Sequence, residues 1–219
     1  MLAAMTSNRP DYRAEPLARY LEDAASASPT PGGGSVAAMA GALASTMASM
    51  AAGFTAGREK FKDVDVEIQD ALGRLSGVRN RLLDLAHDDM AAYEAIMAAY
   101  RLPKATDAEK AARAEAVRAA TRQSLGVVEA VLAACGDVLR IDRRLAEIAN
   151  PNLISDVGVA AEIALGAAKA ARINAEVNLA GYSDKADAAA VRTRVESGLA
   201  EAERMAGEIR EAVLKHLRK

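Results

Sequence analysis

PTPGGGSVAAMAGALASTMASMAAGFTAG, residues 29–57, is the stretch of the sequence that decides the fold. Pro31 and the three glycines after it predict a non-helical loop, and Ser35 offers a hydroxyl N-cap to the run of helix-forming residues that follows. The amides of such a loop and the positive end of a helix can hold an anion or a carbonyl oxygen. The same residues also fit a loop that merely turns the chain into a helix. No Gly-Lys-Ser/Thr closes the glycine run and no strand precedes it, which argues against a phosphate loop or a dinucleotide fingerprint.

The helix predicted after Ser35 carries no charge up to Gly57 and is long enough to span a bilayer. Its residues are mostly Ala, Gly, Ser, Thr and Met, so insertion into a membrane would gain little. Small side chains recur along it at helical spacing and would let other helices approach closely. These small residues are Ala37, Gly41, Ala44, Ala48 and Ala52. The pattern predicts a buried central helix in a bundle or at a dimer interface.

The composition of the 219 residues predicts one all-α domain of about six helices, because Ala and Leu are abundant and aromatic residues make up only 3%. We expect residues 1–14 to be a loose leader and residues 15–219 to form the domain. The net charge of −2 and the mixing of both signs along the chain disfavour nucleic acid and anionic membranes as partners. With one cysteine and two histidines, the sequence lacks the ligands of a typical zinc site, so we expect no structural metal. No charged-then-apolar signal sequence opens the chain, which favours the cytoplasm.

Turn and capping residues predict where the helices begin and end. The first helix is expected from Pro16 to about Ala27, with one face made of Leu17, Tyr20, Leu21 and Ala24. The third helix is expected from Asp63 or Asp65 to about Arg101. Thr106 and Glu109 form a capping box that opens a helix running towards Arg140, with residues 145–148 as a short turn. The Asn150-Pro151-Asn152 break precedes a helix that starts at Ser155 or Asp156. Gly181 ends that helix, and Ser183 or Asp184 caps a last helix reaching about Leu217.

One carboxylate falls on the inner stripe of the third helix. The stripe alternates spacings of three and four and consists of Leu75, Val78, Leu82, Leu85, Asp89, Ala92, Ile96 and Ala99. Asp88 should flank the stripe, and His87 should point outward. A buried Asp without a partner has a raised pKa, which is frequent in catalytic sites. A core Asp tied to an Arg or to a helix end fits the pattern equally well.

Two further pairs of polar residues are candidates for binding. Asn174 and Asn178 are four residues apart on an Ala-lined face, so they could bind a polar heterocycle or a neighbouring helix. Arg58 and Lys60 follow the central helix, where basic residues also stabilise an exposed helix end.

Five blocks of this sequence resemble the folate cyclodeaminase/cyclohydrolase family. They are PTPGGGSVAAMAGAL in the stretch quoted first, GREKF at residues 57–61, HDDMAAYEAIMAAYRLPK at 87–104, NPNLISDVGVAA at 150–161 and INAEVNL at 173–179. The resemblance implies an all-helical homodimer with a folate site between helices near the subunit interface. It implies no cofactor beyond the tetrahydrofolate substrate.

The resemblance also implies roles for individual residues. Asp89 matches the proton-transfer residue of the family. Carried over as substrate-binding positions are Gly33, Gly34, Ser35, Arg58, Lys60, Asn152, Ser155, Asp156, Asn174 and Asn178. Glu59 interrupts the usual basic pair, and Ala149 replaces a frequent Gly, so tail binding and loop geometry are where this chain departs from the family.

The reaction that we expect is hydrolysis of 5,10-methenyltetrahydrofolate to 10-formyltetrahydrofolate, with Asp89 as general acid and base and Asp156 as partner of the pterin N–H groups. The motif blocks and the stand-alone length favour this cyclohydrolase reaction. A formimidoyltetrahydrofolate cyclodeaminase that releases ammonia is the nearest alternative. A folate-binding or scaffold protein without turnover is the second.

Overall fold

A computed structural model describes residues 10–218 as six α-helices in one domain, with no strand among these residues. The helices are α1 (Leu17–Ala25), α2 (Gly33–Gly53), α3 (Asp65–Tyr100), α4 (Asp107–Ile148), α5 (Ile154–Ala180) and α6 (Lys185–Leu217). Short 3₁₀ helices at Glu59–Val64 and Pro151–Leu153 lead into α3 and α5. The all-α prediction is therefore confirmed. Residues 1–9 of the expected leader lie outside the described residues, whereas Arg13 within it donates to the Asn80 carbonyl on α3 at 3.0 Å.

Helix α2 lies at the centre of the bundle and packs against α3, α4 and α5. All five small residues predicted to face other helices are buried. At Gly41 an added Cβ would come within 3.1 Å of both the Cys135 Sγ on α4 and the Leu82 Cδ2 on α3. Because these helices approach α2 so closely, larger side chains would push them apart. The prediction of a buried central helix is confirmed.

The same helix is long and apolar enough to cross a membrane, the one such helix among the described residues. Core helices of soluble proteins share that length and composition. Half of its most apolar window is buried by its neighbours here, as expected for a core helix.

Caps fix two helix starts as the sequence predicts. Thr106 and Glu109 form a complete capping box at α4, in which the Thr106 Oγ1 accepts from the Glu109 N–H at 3.2 Å. Asp184 caps α6 by accepting from the Asp187 N–H at 3.0 Å. Each cap satisfies amides that have no partner within their own helix.

Three local predictions are wrong. Helix α2 begins at Gly33, so Gly33 and Gly34 join the helix, Gly32 takes the N-cap position, and Ser35 lies in the first turn instead of capping it. Helix α4 continues through residues 145–148, because Ile141 and Leu145 are buried and extend its apolar seam. Helix α1 ends at Ala25 and buries only Tyr20, whereas Leu17 on the same predicted face is 57% exposed.

The core contains one carboxyl that the sequence analysis missed. Asp142 on α4 is fully buried, and neither of its oxygens has a hydrogen-bond partner among the described residues. Burial raises the pKa of this carboxyl well above its usual value, because the charged form loses its hydration. The spacing of apolar residues along α4 could have predicted that Asp142 faces inward. Leu125, Val128, Leu132, Cys135, Leu139 and Asp142 form one inward stripe with spacings of three and four.

Asp142 should make folding stability depend on pH. Below the unfolded-state pKa the carboxyl is protonated in both states, and as the pH rises towards the raised folded-state pKa, ionisation favours the unfolded chain. The free energy of unfolding of the wild type minus that of Asp142→Asn should therefore fall with rising pH. Asp142→Leu should raise the free energy of unfolding at pH 8 by about 1–4 kcal/mol. Urea unfolding of the three proteins at pH 5 and pH 8 measures both effects. A wild-type minus Asn difference that is independent of pH would show that Asp142 has an ordinary pKa.

Candidate active site

Asp89 on α3 contacts the start of α2. Its Oδ2 accepts a hydrogen bond from the Ser35 N–H at 2.9 Å, so it satisfies an amide that has no partner within α2. Gly34 makes this approach possible. A Cβ at Gly34 would overlap the Asp89 Oδ1 and lie 2.6 Å from its Cγ. The cap that the sequence analysis assigned to the Ser35 hydroxyl therefore comes from a carboxylate 54 residues away.

The Asp89 carboxyl is partly buried, as its place on the inner stripe of α3 predicts. Burial raises its pKa above the usual value, and the hydrogen bond from the Ser35 N–H lowers it in part. Asp88 and His87 beside it are exposed, as predicted. The site thus holds one carboxyl whose pKa burial raises above that of an ordinary Asp, as is frequent in catalytic sites.

Ser35 itself is fully buried, and its Oγ lies 3.0 Å from the Tyr20 hydroxyl. Its side chain therefore contacts α1, and its backbone N–H is the group that donates to the Asp89 carboxylate. Gly33, two residues before Ser35, is exposed. Sequence reasoning missed Tyr20 as a neighbour of the site, because it assigned that residue only to an apolar helix face.

The two asparagines of α5 lie on the same side of the bundle and make hydrogen bonds within the protein. Asn174 donates to the Ala170 carbonyl at 3.0 Å, and its Oδ1 would lie 3.2 Å from a Cβ at Gly33. Asn178 donates to the Ser124 Oγ on α4 at 2.9 Å. Asn178 thus links α5 to α4, which is the alternative to ligand binding that the sequence left open. Asn174 lies beside the start of α2. Binding of substrate by either residue stays a prediction.

An apolar groove of about 530 Å³ runs between α2 and α5. Gly33 and Asn174 stand at one end of it, and small residues such as Ala37, Ala40 and Ala170 form its walls. A smaller cavity behind Ala37 and Asn174 is lined by Gly34, Asp89 and valines of α4. The Asp89 carboxyl therefore lines a small cavity that adjoins the groove, and the groove is large enough for a small organic ligand.

The remaining candidate residues lie at the other end of α2. The Asn150 N–H donates to the Thr55 Oγ1 at 2.8 Å, so the turn containing Asn152 and the start of α5 sit beside the last turn of α2. Asn152 and Ser155 are exposed, and Asp156 is partly buried. Arg58 and Lys60 follow the same end of α2 and are exposed, with the Arg58 guanidinium 5.9 Å from the centre of the Phe54 ring.

The candidate residues therefore form two clusters within one chain. Asp89, Gly33, Gly34 and Ser35 form the N-terminal cluster, and the residues from Arg58 and from the Asn150 turn form the C-terminal cluster. The 21 residues of α2 separate them by about 30 Å. The expectation that the glycines and Asp156 line one concave surface is not met within a single copy.

No group of three His, Cys, Asp or Glu side chains within the described part of the chain is placed to hold a metal ion. The chemistry that the site can perform with its own residues is proton transfer by one carboxyl, beside amides of a helix start.

Comparisons with known proteins agree on one family. The formiminotransferase-cyclodeaminase family matches residues 16–197. A methenyltetrahydrofolate cyclohydrolase of Methylorubrum extorquens is 38% identical over 188 residues, which cover 86% of this chain and 90% of the relative. A formimidoyltransferase-cyclodeaminase of Sus scrofa is 32% identical over 88% of this chain, and the match covers 36% of that longer protein. A formiminotetrahydrofolate cyclodeaminase structure from Thermotoga maritima superposes with a TM-score of 0.85 at 27% identity, over 93% of this chain and 98% of that one.

Gly34→Ala should destabilise the protein, because the new methyl group must displace the Asp89 carboxylate from the Ser35 amide. We expect a loss of about 1–3 kcal/mol in the free energy of unfolding. Gly207→Ala on α6 is the matched control, since nothing lies within 4 Å of a Cβ there. The control should gain about 0.4–1 kcal/mol, because alanine restricts the unfolded chain and favours a helix. Equal effects of the two substitutions in chemical unfolding would contradict the close contact of Gly34 with Asp89.

Proposed function

This chain belongs to the formiminotransferase-cyclodeaminase family, and from that premise we propose that it is an enzyme that hydrolyses 5,10-methenyltetrahydrofolate to 10-formyltetrahydrofolate. The observation that carries the proposal is the partly buried Asp89 carboxyl in the small cavity that adjoins the α2–α5 groove at Ala37 and Asn174. It supplies a proton-transfer group of raised pKa next to a space that can hold a folate. The reaction needs no cofactor beyond its substrate.

The choice of reaction rests on the relatives. The cyclohydrolase of Methylorubrum extorquens is more similar to this chain than the mammalian cyclodeaminase is, at 38% against 32% identity. It is also matched over 90% of its own length. The cyclodeaminase reaction remains the second candidate, because the Thermotoga maritima structure named for that activity has the same fold.

The hydrolysis can be written with Asp89 as the one proton carrier. The bridging carbon between N5 and N10 is an electrophilic amidinium, and the ionised carboxylate takes a proton from water as the water oxygen adds to that carbon. The carbon–N5 bond then breaks, and the protonated Asp89 returns its proton to N5. The hydroxyl proton leaves to solvent as the N10-formyl group forms. A raised pKa suits both transfers, because the same group must accept and then donate.

The carboxylate would also stabilise the cationic substrate bound in the adjoining groove, whose walls are mostly apolar. The Ser35 amide holds Asp89 in place while it is ionised. In the cyclodeaminase reaction, closure of N10 on the formimino carbon would use Asp89 mainly as the acid that assists the departure of ammonia. A binder without turnover would have no need of a raised pKa at this position.

We further propose that the protein is a cytoplasmic homodimer that pairs through α2 and α5. Both helices expose an apolar stripe on the face that carries the groove. The α2 stripe is Val36, Ala40, Leu43, Met47, Met50 and Phe54, and the α5 stripe is Val159, Ile163, Gly166, Ala170, Ile173 and Val177. Every step along both stripes is three or four residues, which is the spacing of helices that pack against other helices. The central residue Leu43 is 50% exposed, so a second copy would remove apolar surface from water.

The orientation of the pair follows from the two clusters. A two-fold axis that lies in this face and runs across the helices would place the N-terminal cluster of one copy against the C-terminal cluster of the other. Asp89 would then share a site with the partner's Asp156, Arg58 and Lys60. In that site Asp156 would accept the N–H fork of the pterin in a bidentate manner, and the basic pair would meet the glutamate tail. The split between the clusters supports this arrangement.

Asp89→Asn should keep folate affinity and lower kcat by about a hundredfold or more, because the amide cannot carry the proton. The assay follows the decay of methenyltetrahydrofolate absorbance above the spontaneous rate, and release of ammonia from formiminotetrahydrofolate is measured in parallel. Asp88→Asn is the matched control on the exposed side of α3 and should leave kcat unchanged within about twofold. Wild-type release of ammonia without hydrolysis would replace the cyclohydrolase by the cyclodeaminase. A fully active Asp89→Asn would leave only a folate binder or a different reaction centre.

The shared site makes mixed dimers informative. Asp89→Asn and Asp156→Ala homodimers should each lose most of kcat/KM. A mixed dimer, co-expressed with two tags and purified by both, should recover about half of the wild-type kcat/KM, because one of its two sites then contains both native residues. No recovery would mean that Asp89 and Asp156 do not meet across the interface.

A charge on the interface supplies the control for this experiment. Leu43→Glu in both chains should prevent pairing and abolish the recovery, since two carboxylates would be buried near the axis. Val66→Glu on α3 introduces the same charge at a position that is 86% exposed and off both stripes, so it should leave the recovery intact. Sedimentation of the two variants measures the oligomeric state directly.

A further inference from the structure

Helix α1 docks on the bundle through a single buried side chain. Tyr20 is 3% exposed, whereas the other described residues of this helix are at least partly exposed, including Leu17 and Leu21 at 57% each. Hydrophobic burial of one residue is modest support for a nine-residue helix. The contact of the Tyr20 hydroxyl is therefore the other interaction that can hold this side chain in the bundle.

The Tyr20 hydroxyl reaches the residue that holds Asp89. It lies 3.0 Å from the Ser35 Oγ, and the Ser35 N–H is 2.9 Å from the Asp89 Oδ2. Ser35 is fully buried, so its hydroxyl has no water to replace a lost partner. One residue thus connects the phenol to the carboxyl by two hydrogen bonds.

The segment around Tyr20 is fastened on both sides. The Tyr12 ring packs edge-on against Tyr20 with 5.1 Å between the ring centroids, and the Tyr12 hydroxyl donates to the Asp23 Oδ2 at 2.8 Å. Arg13 pairs with Asp84, which lies about one turn of α3 before Asp89. The contact between the two rings and the Arg13–Asp84 pair hold the Tyr20 ring in place independently of its own hydroxyl, so the hydroxyl can be removed without releasing the ring.

The charged and titratable groups around this corner are few. Asp11, Tyr12, Arg13, Tyr20 and His87 line the space between the N-terminal segment and α3. Asp88 is on the exposed side of α3. On the other side of Asp89, the lining from α4 and α5 consists of Val127, Val128, Val131, Ala171 and Asn174, which carry no charge.

We propose that Tyr20 is a positioning residue for the reaction, which holds Ser35 so that the first turn of α2 presents its amide to Asp89. This inference rests on the proposed role of Asp89 in proton transfer. Tyr20 touches no substrate, because it is buried behind Ser35. Its effect must therefore appear in the chemical step and not in folate binding.

Tyr20→Phe tests the role by removing only the hydroxyl. We expect kcat to fall about tenfold, which corresponds to about 1.4 kcal/mol, with KM changed by less than about twofold. The acidic limb of the kcat profile should move to higher pH. The reason is that a misplaced Ser35 N–H no longer lowers the pKa of Asp89. Tyr12→Phe is the matched control, since it removes a phenolic hydroxyl from the same segment whose partner is Asp23.

Ser35→Ala probes the same bond from its other end, because it removes the Oγ and keeps the N–H. Its acidic limb should move in the same direction, and the double variant Tyr20→Phe/Ser35→Ala should be no slower than the worse single variant. Additive losses in kcat would overturn the proposal, as would equal kcat and equal acidic limbs for Tyr20→Phe and Tyr12→Phe. The Asp89→Asn variant distinguishes a failure of the role of Tyr20 from a failure of the proposed function. If Asp89→Asn is inactive while Tyr20→Phe matches its control, the role of Tyr20 fails alone, whereas an active Asp89→Asn removes the proposed function itself.

Discussion

The contact between the Asp89 carboxylate and the first turn of α2 is the constraint on which the rest of the site depends. A carboxylate can replace the missing partner of a helix amide only if the backbone comes close, and Gly34 is the residue that leaves room for it. The contact has two consequences. It fixes α3 against α2 at one end of the bundle, and it leaves a carboxyl whose burial and hydrogen bond act on its pKa in opposite directions, with burial dominating. In the proposed reaction, the side chain that caps α2 is therefore also the proton carrier.

The small residues of α2 connect this site to the architecture. Because Ala, Gly and Ser occupy the buried positions of the helix, α3, α4 and α5 approach it closely and surround it on three sides. The fourth side is left with larger apolar residues, which continue onto α5 and border the groove. The face of α2 with small residues thus packs in the core, and the face with larger apolar residues forms the proposed dimer interface. The first turn of the same helix forms part of the candidate site. A change in its sequence would affect all three.

Sequence reasoning found the parts of this arrangement that periodicity determines. The stripe on α3 identified Asp89, and the capping residues placed the starts of α4 and α6, because these features depend on spacings of three or four residues. The cap of α2 could not be found in this way, since its partner is 54 residues distant and three glycines have poor helix propensity on their own. The inward position of Asp142 could have been predicted in the same way, because its stripe on α4 is as regular as that of α3. The separation of Asp89 from Asp156 depends on which end of α2 each residue approaches, and no local pattern carries that information.

The most direct test of the account is the titration of the Asp89 carboxyl in the wild-type protein, followed by carbon-13 NMR and assigned by the signal that Asp89→Asn removes. Proton transfer in both directions requires a pKa above the value of about 3.9 that is usual for Asp, so burial must outweigh the hydrogen bond from the Ser35 amide. A pKa at or below that value would contradict the proton-transfer role, since Asp89 would then be only the cap of a helix.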